Sequence, residues 1–338
     1  MASTRTLLLF LLASGMVGAQ TPIFNDGAAF GGSRVFSDGL NPLGNSARFD
    51  RPATGTYLSW IQGNEGSKDT FEALKTIGDP TLIGRNLGAL ADNSWALRTR
   101  SFAVSYAEKG VHTSYTHEET TAALAKPNLG SPNASAVDLR RAVVDRTCVG
   151  AGSFDQGSGY GILMRVERWR LGQATQPLNP GGGQGAQDFL AFSDTQTTST
   201  LVTFDLGYTL ELMQGIRFGA TVDRLLPRHF GDVYEGPQFR AGFQMDLGTM
   251  AQVSVDSDIN KAMRMPYPVR QRITTASLRL MPNPTLTLTL GAERRSVGGQ
   301  PQIRGGVSLF VNSPTWRIGA GIQISQERPM MGLVFSGF

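Results

Sequence analysis

The sequence predicts an all-β fold, a closed antiparallel transmembrane β-barrel of about 12–14 strands with short helical insertions. Three observations predict it. From Leu201 onward, apolar side chains take every second position in one segment after another, so hydrocarbon lies on one strand face and polar groups on the other. These segments are long: crossing a bilayer at a tilt needs roughly 9–11 residues, whereas globular strands average about 5–6. Brief turns at Met213-Gln214, Asp246-Leu247-Gly248, Pro282-Asn283-Pro284 and Asn312-Ser313-Pro314 alternate with longer loops at 225–236, 257–269 and 294–301, as in a barrel whose short turns share one rim.

Residues 1–19 read as a secretory signal peptide. Arg5 supplies the positive region, Leu7 to Leu12 the apolar core, and Val17-Gly18-Ala19 a small-residue cleavage site. No cysteine follows the apolar core, so a lipoprotein anchor is not expected. After that leader no run of about 18 apolar residues remains, and a membrane location then demands a closed barrel, because open sheet edges go unsatisfied in hydrocarbon.

Residues 20–98 lack the alternation apart from Tyr57 to Ile61, and 27–51 is rich in Gly, Asn and Ser. Asp69 with Glu72 forms a capping box ahead of Phe71, Leu74 and Ile77, with Gly78 and Pro80 as a stop, which predicts a short helix; a second is expected over 82–91. The barrel domain is expected over 99–338. It opens with a hairpin, Ser101 to Ala107 and Val111 to Thr116. A helical insertion follows at 117–146, with helices over 118–126, ended by Pro127, and over 136–145, capped by Ser135. Tyr160, Ile162, Met164 and Val166 restart the strands before a glycine-rich loop at 172–187. Val202 to Leu212, Ile216 to Val222, Phe239 to Met245, Ala251 to Val255, Leu286 to Ala292 and Trp316 to Ile324 carry the alternation to the C-terminal segment. Counting from Ser101 gives about twelve strands, and two more before Arg98 make fourteen, both even as single-chain barrels require.

The polar faces carry Arg165, Glu167, Asp205, Glu211, Arg217, Asp223, Arg240, Asp246, Asp256, Arg279, Glu293, Arg304 and Arg317. In a barrel these are the expected lumen-lining residues, and their mixed signs weigh against an ion-selective pore, for which a ring of one sign is expected. The competing environment is a soluble sandwich, which buries the apolar rows between two sheets and wets the same charges with solvent.

The 338-residue chain carries a net charge of +4 without charge runs, which gives nucleic acid no footprint. Its one cysteine, Cys148, forms no intramolecular disulfide and reads as a small buried hydrophobe or a free thiol. Asn133-Ala134-Ser135 matches a glycosylation sequon, a pattern frequent by chance. A site built on His112 and His117 needs those two side chains to converge, and there is neither a Cys partner nor a His-Glu-x-x-His pattern. No catalytic residue, metal or other cofactor is therefore expected, and the chain does not read as an enzyme. The alternative is a lipid hydrolase on the barrel wall that uses His229, since such triads are recognised by geometry. Gly31-Gly32 and Gly181-Gly182-Gly183 open no helix after a parallel strand and read as loops, not phosphate cradles. Trp60, Trp169, Trp316, Tyr208 and Tyr160 are candidates for interfacial girdles or for core positions.

Ala29-Phe30-Gly31-Gly32, Asn41-Pro42-Leu43-Gly44, Val253 to Lys261 (VSVDSDINK) and the Gly291-Ala292-Glu293-Arg294 strand resemble motifs of the FadL-like outer-membrane barrels, within them the branch of PorV and the TraF-type plasmid-transfer proteins. The resemblance implies fourteen strands and a plug-like N-terminal segment within 20–98. It further implies residence in a Gram-negative-type outer membrane, with either passage of small hydrophobic molecules or an accessory role in secretion and assembly. A non-conducting plugged barrel that binds partners is the alternative. The expected partners are outer-membrane lipid, a hydrophobic small molecule or exported protein, and the barrel-assembly machinery, which would read the final strand ending at Phe338. Ser336 departs from the apolar residue usual in that terminal signal.

Overall fold

The computed structural model describes residues 35–36, 54–66, 95–126, 136–177, 197–230, 233–264, 267–297, 300–324 and 329–337. The strands are β1 (Thr54–Gly66), β2 (Trp95–Glu108), β3 (Val111–Lys126), β4 (Ala136–Asp155), β5 (Ser158–Pro177), β6 (Thr197–Met213), β7 (Ile216–Asp223), β8 (Arg228–Phe230), β9 (Val233–Glu235), β10 (Gln238–Leu247), β11 (Ala251–Asp258), β12 (Ala262–Arg264), β13 (Tyr267–Asn283), β14 (Leu286–Val297), β15 (Gln300–Asn312), β16 (Trp316–Ile324) and β17 (Pro329–Gly337). Fourteen of them form one closed antiparallel wall. Neighbours along the chain pair with one another, β7 pairs with β10, β11 with β13, and β1 closes on β17 with Thr56 opposite Gly337. β12 extends the edge of β13, and β8 with β9 forms a separate hairpin between β7 and β10.

The wall is inside out relative to a soluble protein. Along β2, Phe102, Val104 and Tyr106 are exposed while Ser101, Ala103, Ser105 and Ala107 are buried. Along β6, Val202, Leu206 and Tyr208 are exposed while Thr203, Asp205 and Thr209 are buried. Only a hydrocarbon solvent makes that arrangement favourable, so the barrel spans a membrane. On β6 the outward apolar row runs from Val202 to Leu212; ten residues at about 3.3 Å each, tilted by roughly 40°, give an apolar band about 25 Å tall, the height of an outer-membrane barrel's lipid belt. Trp316, Tyr106, Tyr160 and Tyr208 face outward near the turn rim, as girdle residues do.

The turns at 109–110, 156–157, 214–215, 248–250, 284–285 and 313–315 all lie on one rim. Two of them need a left-handed backbone at consecutive positions: Lys109 and Gly110 (φ 48° and 82°), and Gln156 and Gly157 (φ 48° and 83°), the geometry that matches strand twist across a two-residue hairpin. At the opposite rim, the long-loop side, the described chain leaves β1, β3, β5, β7 and β11 and returns at β2, β4, β6, β10 and β13.

Several expectations change. Residues 118–126 and 136–145, expected as helices within an insertion at 117–146, are strand: β3 pairs with β2 and β4 along its length, Glu118 lying opposite Ser101 and Val144. The Ala, Glu and Leu content of these segments favours helix locally, but unpaired flanks at this place in the wall would leave an open edge. The barrel begins before residue 99, since β1 and the first part of β2 fall inside 20–98 and close the wall. Within the expected loop at 294–301, residues 294–297 and 300–301 are strand, and residues 172–177 of the glycine-rich loop complete β5. No helix occurs among the described residues; the two expected over 69–78 and 82–91, and the leader 1–19, lie outside them.

Candidate functional site

The inner face of the barrel has two chemistries. Around β1 and β15 to β17 it holds an apolar cluster, Tyr57, Ile61, Ala107, Phe310, Met330 and Val334, set among inward Ser59, Ser308, Arg317 and Ser336. Gly319 makes room for it, because a Cβ there would collide with the Phe310 ring. From β3 to β16 the inner face also carries charged side chains.

β5 shows how local sequence builds the ionic side. Its alternation places Leu163, Arg165, Glu167 and Trp169 inward and Ile162, Met164, Val166 and Arg168 outward. Glu167 is fully buried, at 0% exposure, and is the hub. It accepts from Arg146 Nε at 3.1 Å and from Trp169 Nε1 at 2.8 Å, lies 3.8 Å from Arg165 Nη1, and is ion-paired with Arg228 of β8. Arg146 also donates to Glu118 Oε2 at 2.7 Å, and Arg165 pairs with Asp205, which accepts the Arg224 backbone N–H at 2.8 Å. The Arg228 guanidinium stacks 4.5 Å from the Trp169 ring centre. Arg146, Arg165 and Arg228 thus meet Glu118, Glu167 and Asp205, so these buried charges are paired with one another. Above this floor Trp169 joins Ala142 and Val144, with Leu171 and Leu201 packed against them, in a buried apolar cluster on the long-loop side.

A second set centres on Arg240, which pairs with Asp258 and lies 3.6 Å from Asp223 and 3.8 Å from Asp256. Near the turn rim, Arg217 donates to Asp246 at 2.7 Å and Gln244 at 2.9 Å, while Gln252 bridges Asp246 to Arg279. Glu293 and Arg304 face each other at 3.7 Å, and Arg317 lies 4.0 Å over Phe310. Glu211 is at the rim opposite Arg217.

Every polar residue singled out from the sequence therefore stands on the inward-facing parity of its strand, and the structure brings most of them into pairs. Sequence reasoning missed Glu118, Arg146, Arg228 and Asp258, the first two because their segments read as helix and the others because they lay in expected loops. The alternation Ala142, Val144, Arg146, Cys148 was the signal available for Arg146. Trp169 is an inner-face residue, not a girdle residue, whereas Trp60 faces outward. Ser336 is buried on the inner face, so its hydroxyl does not meet lipid. Cys148 is buried, free, and packed on Leu163. His112 points inward and His117 outward, where it meets Asp145 at 2.8 Å, so the two do not share a site.

Two residues of the N-terminal segment enter the lumen. Val35 and Phe36 are buried against the inward-facing Gly219, where a Cβ would clash with Val35. A groove of about 590 Å³ lies instead on the outer face, where Tyr160 and Tyr208 flank Ala151 and Ala220.

No family model and no curated protein matches the chain. Solved structures match in fold. A Pseudomonas aeruginosa FadL homologue superposes with a TM-score of 0.51 at 8% identity, covering 96% of this chain and 98% of that chain. The TodX deltaS2S3 mutant, a monoaromatic hydrocarbon channel, gives 0.54 at 11% identity, covering 86% of this chain and 92% of that one. CdiB from Acinetobacter baumannii gives 0.40 at 11% identity, covering 84% of this chain and 60% of that one. The chain is thus similar to FadL-type barrels in architecture.

Proposed function

We propose that this barrel conducts small hydrophobic molecules across the outer membrane, entering from the long-loop side through a vestibule at the Trp169 cluster. The observation that carries the reading is the two-sided lumen, in which an apolar flank runs beside charges already paired with one another. Paired charges repel neither a neutral solute nor its apolar surface, and they offer a free ion no site of one sign. The hydrocarbon-channel and FadL-homologue likenesses support the same class of solute. Export through residues 1–19 and assembly through the β17 strand belong to this reading; the FadL-like motifs at 29–32 and 41–44 that resemble the PorV and TraF-type branch lie outside the described residues.

Quenching of Trp169 fluorescence by a monoaromatic hydrocarbon tests it. Saturable quenching in the purified barrel that is lost in Trp169→Phe supports the vestibule, and quenching identical in the two proteins overturns it. The Val35–Phe36 contact with Gly219 favours a second reading, a lumen stoppered by the N-terminal segment. Solute flux in liposomes that appears only after residues 20–53 are deleted assigns that segment as the plug.

A further inference from the structure

The outer face changes character at one level. On the turn side of that level it is apolar, but at its long-loop edge the outward positions become arginine: Arg100 on β2, Arg168 and Arg170 on β5, Arg272 on β13 and Arg294 on β14. The outward acids there are already engaged, Glu119 with Arg141 at 2.7 Å and Asp145 with Arg170 at 3.1 Å. Arg100, Arg168 and Arg294 make no ion pair among the described residues. At the turn rim the exposed charges are mixed, with Glu108 and Asp155 beside Lys109.

The β13–β14 pair is the most concentrated part of this edge. Thr274 lies opposite Arg294 and Arg272 opposite Ser296, so Arg272 and Arg294 are diagonal neighbours on the outward face, about 7–8 Å apart. Arg272 Nε donates to the Asp258 carbonyl of β11 at 2.9 Å, which anchors the side chain on the β11 flank of β13 and leaves its two Nη nitrogens without a bond among the described residues. Directly toward the membrane, Ala276 pairs with Ala292 and Ala292 with Gly305, and a Cβ at Gly305 would meet nothing within 4 Å. Small residues on three adjacent strands make a shallow trough beneath the two arginines, with Ile303, 69% exposed, beside it.

We propose that Arg272 and Arg294 clamp the phosphate of a membrane lipid in the leaflet at the long-loop rim, its acyl chains lying in the Ala276–Ala292–Gly305 trough. The guanidinium fork matches phosphate oxygens, and the trough supplies apolar contact at the depth where acyl chains begin. The charge asymmetry between the two edges selects the leaflet.

The test compares the wild-type barrel, Arg272→Gln/Arg294→Gln, and the turn-rim control Lys109→Gln, each shown to be folded by heat-modifiable migration. Binding of a fluorescent phosphatidic acid and of its neutral diacylglycerol counterpart is measured in detergent micelles, with inorganic phosphate as competitor. Surface arginines near anionic lipid give roughly fivefold each, so the double variant is expected to bind phosphatidic acid roughly thirtyfold more weakly while diacylglycerol and the Lys109→Gln control stay unchanged. Equal phosphatidic acid binding by wild type and the double variant overturns the clamp. Full displacement by inorganic phosphate at the lipid's own concentration overturns the lipid as its ligand.

Discussion

Replacing Glu167 with Gln tests the ionic hub, because this carboxylate holds the β8 hairpin to the barrel wall. The substitution keeps the side-chain shape and removes one fully buried charge facing Arg146, Arg165 and Arg228. Breaking a buried pair by removing one partner costs about 3–5 kcal/mol. Arg146 keeps Glu118 at 2.7 Å and Arg165 keeps Asp205, which places this case at the low end, about 3 kcal/mol. Spent on releasing Arg228, that energy shifts the equilibrium between docked and undocked hairpin by about a hundredfold. Reversible urea unfolding in lipid vesicles of wild type, Glu167→Gln, Arg228→Met and the double variant reads the coupling directly. A coupling of about 1–3 kcal/mol is expected, together with a higher open probability in planar bilayers for both single variants. Single effects that add to within about 0.5 kcal/mol, with unchanged conductance, would refute the role of Glu167 in holding the β8 hairpin.

Gly219→Leu places side-chain atoms where Val35 packs. Overfilling of this kind costs about 1–3 kcal/mol, and faster protease cleavage within residues 20–53 is the expected readout. Leu206→Arg, at the middle of the β6 lipid-facing row, is expected to destabilise the barrel in vesicles by about 2–4 kcal/mol, whereas an arginine at the neighbouring inward Gly207 should not carry that lipid-transfer cost; equal membrane partitioning of wild type and Leu206→Arg would contradict the outward orientation. Lys109→Asn relieves a left-handed backbone held by a long side chain, and a gain of a few tenths of a kcal/mol in urea midpoint is expected, with no change in conductance.

The period-two rows of β6, β7, β10, β14 and β16 were legible because alternation is a local property of the chain, and so were the turn positions and the inward parity of residues such as Asp205, Arg217 and Arg240. β3 and β4 were not. Their alanines and glutamates favour helix over a short window, and only hydrogen bonds to neighbouring strands on both sides turn them into wall. Which charges meet was equally hidden. Glu167 reaches Arg228 across 61 positions of sequence, and Asp205 reaches Arg165 across 40, separations fixed by barrel register and by the inward fold of the β7–β10 connection.

The sequence by itself determined that these strands have one greasy and one polar face, since a side chain's neighbours two positions away decide that. Tertiary closure decided which face meets lipid, which guanidinium finds which carboxylate, and that β1 seals against β17. Those outcomes depend on satisfying every edge hydrogen bond and every enclosed charge at once, a condition no single segment can express.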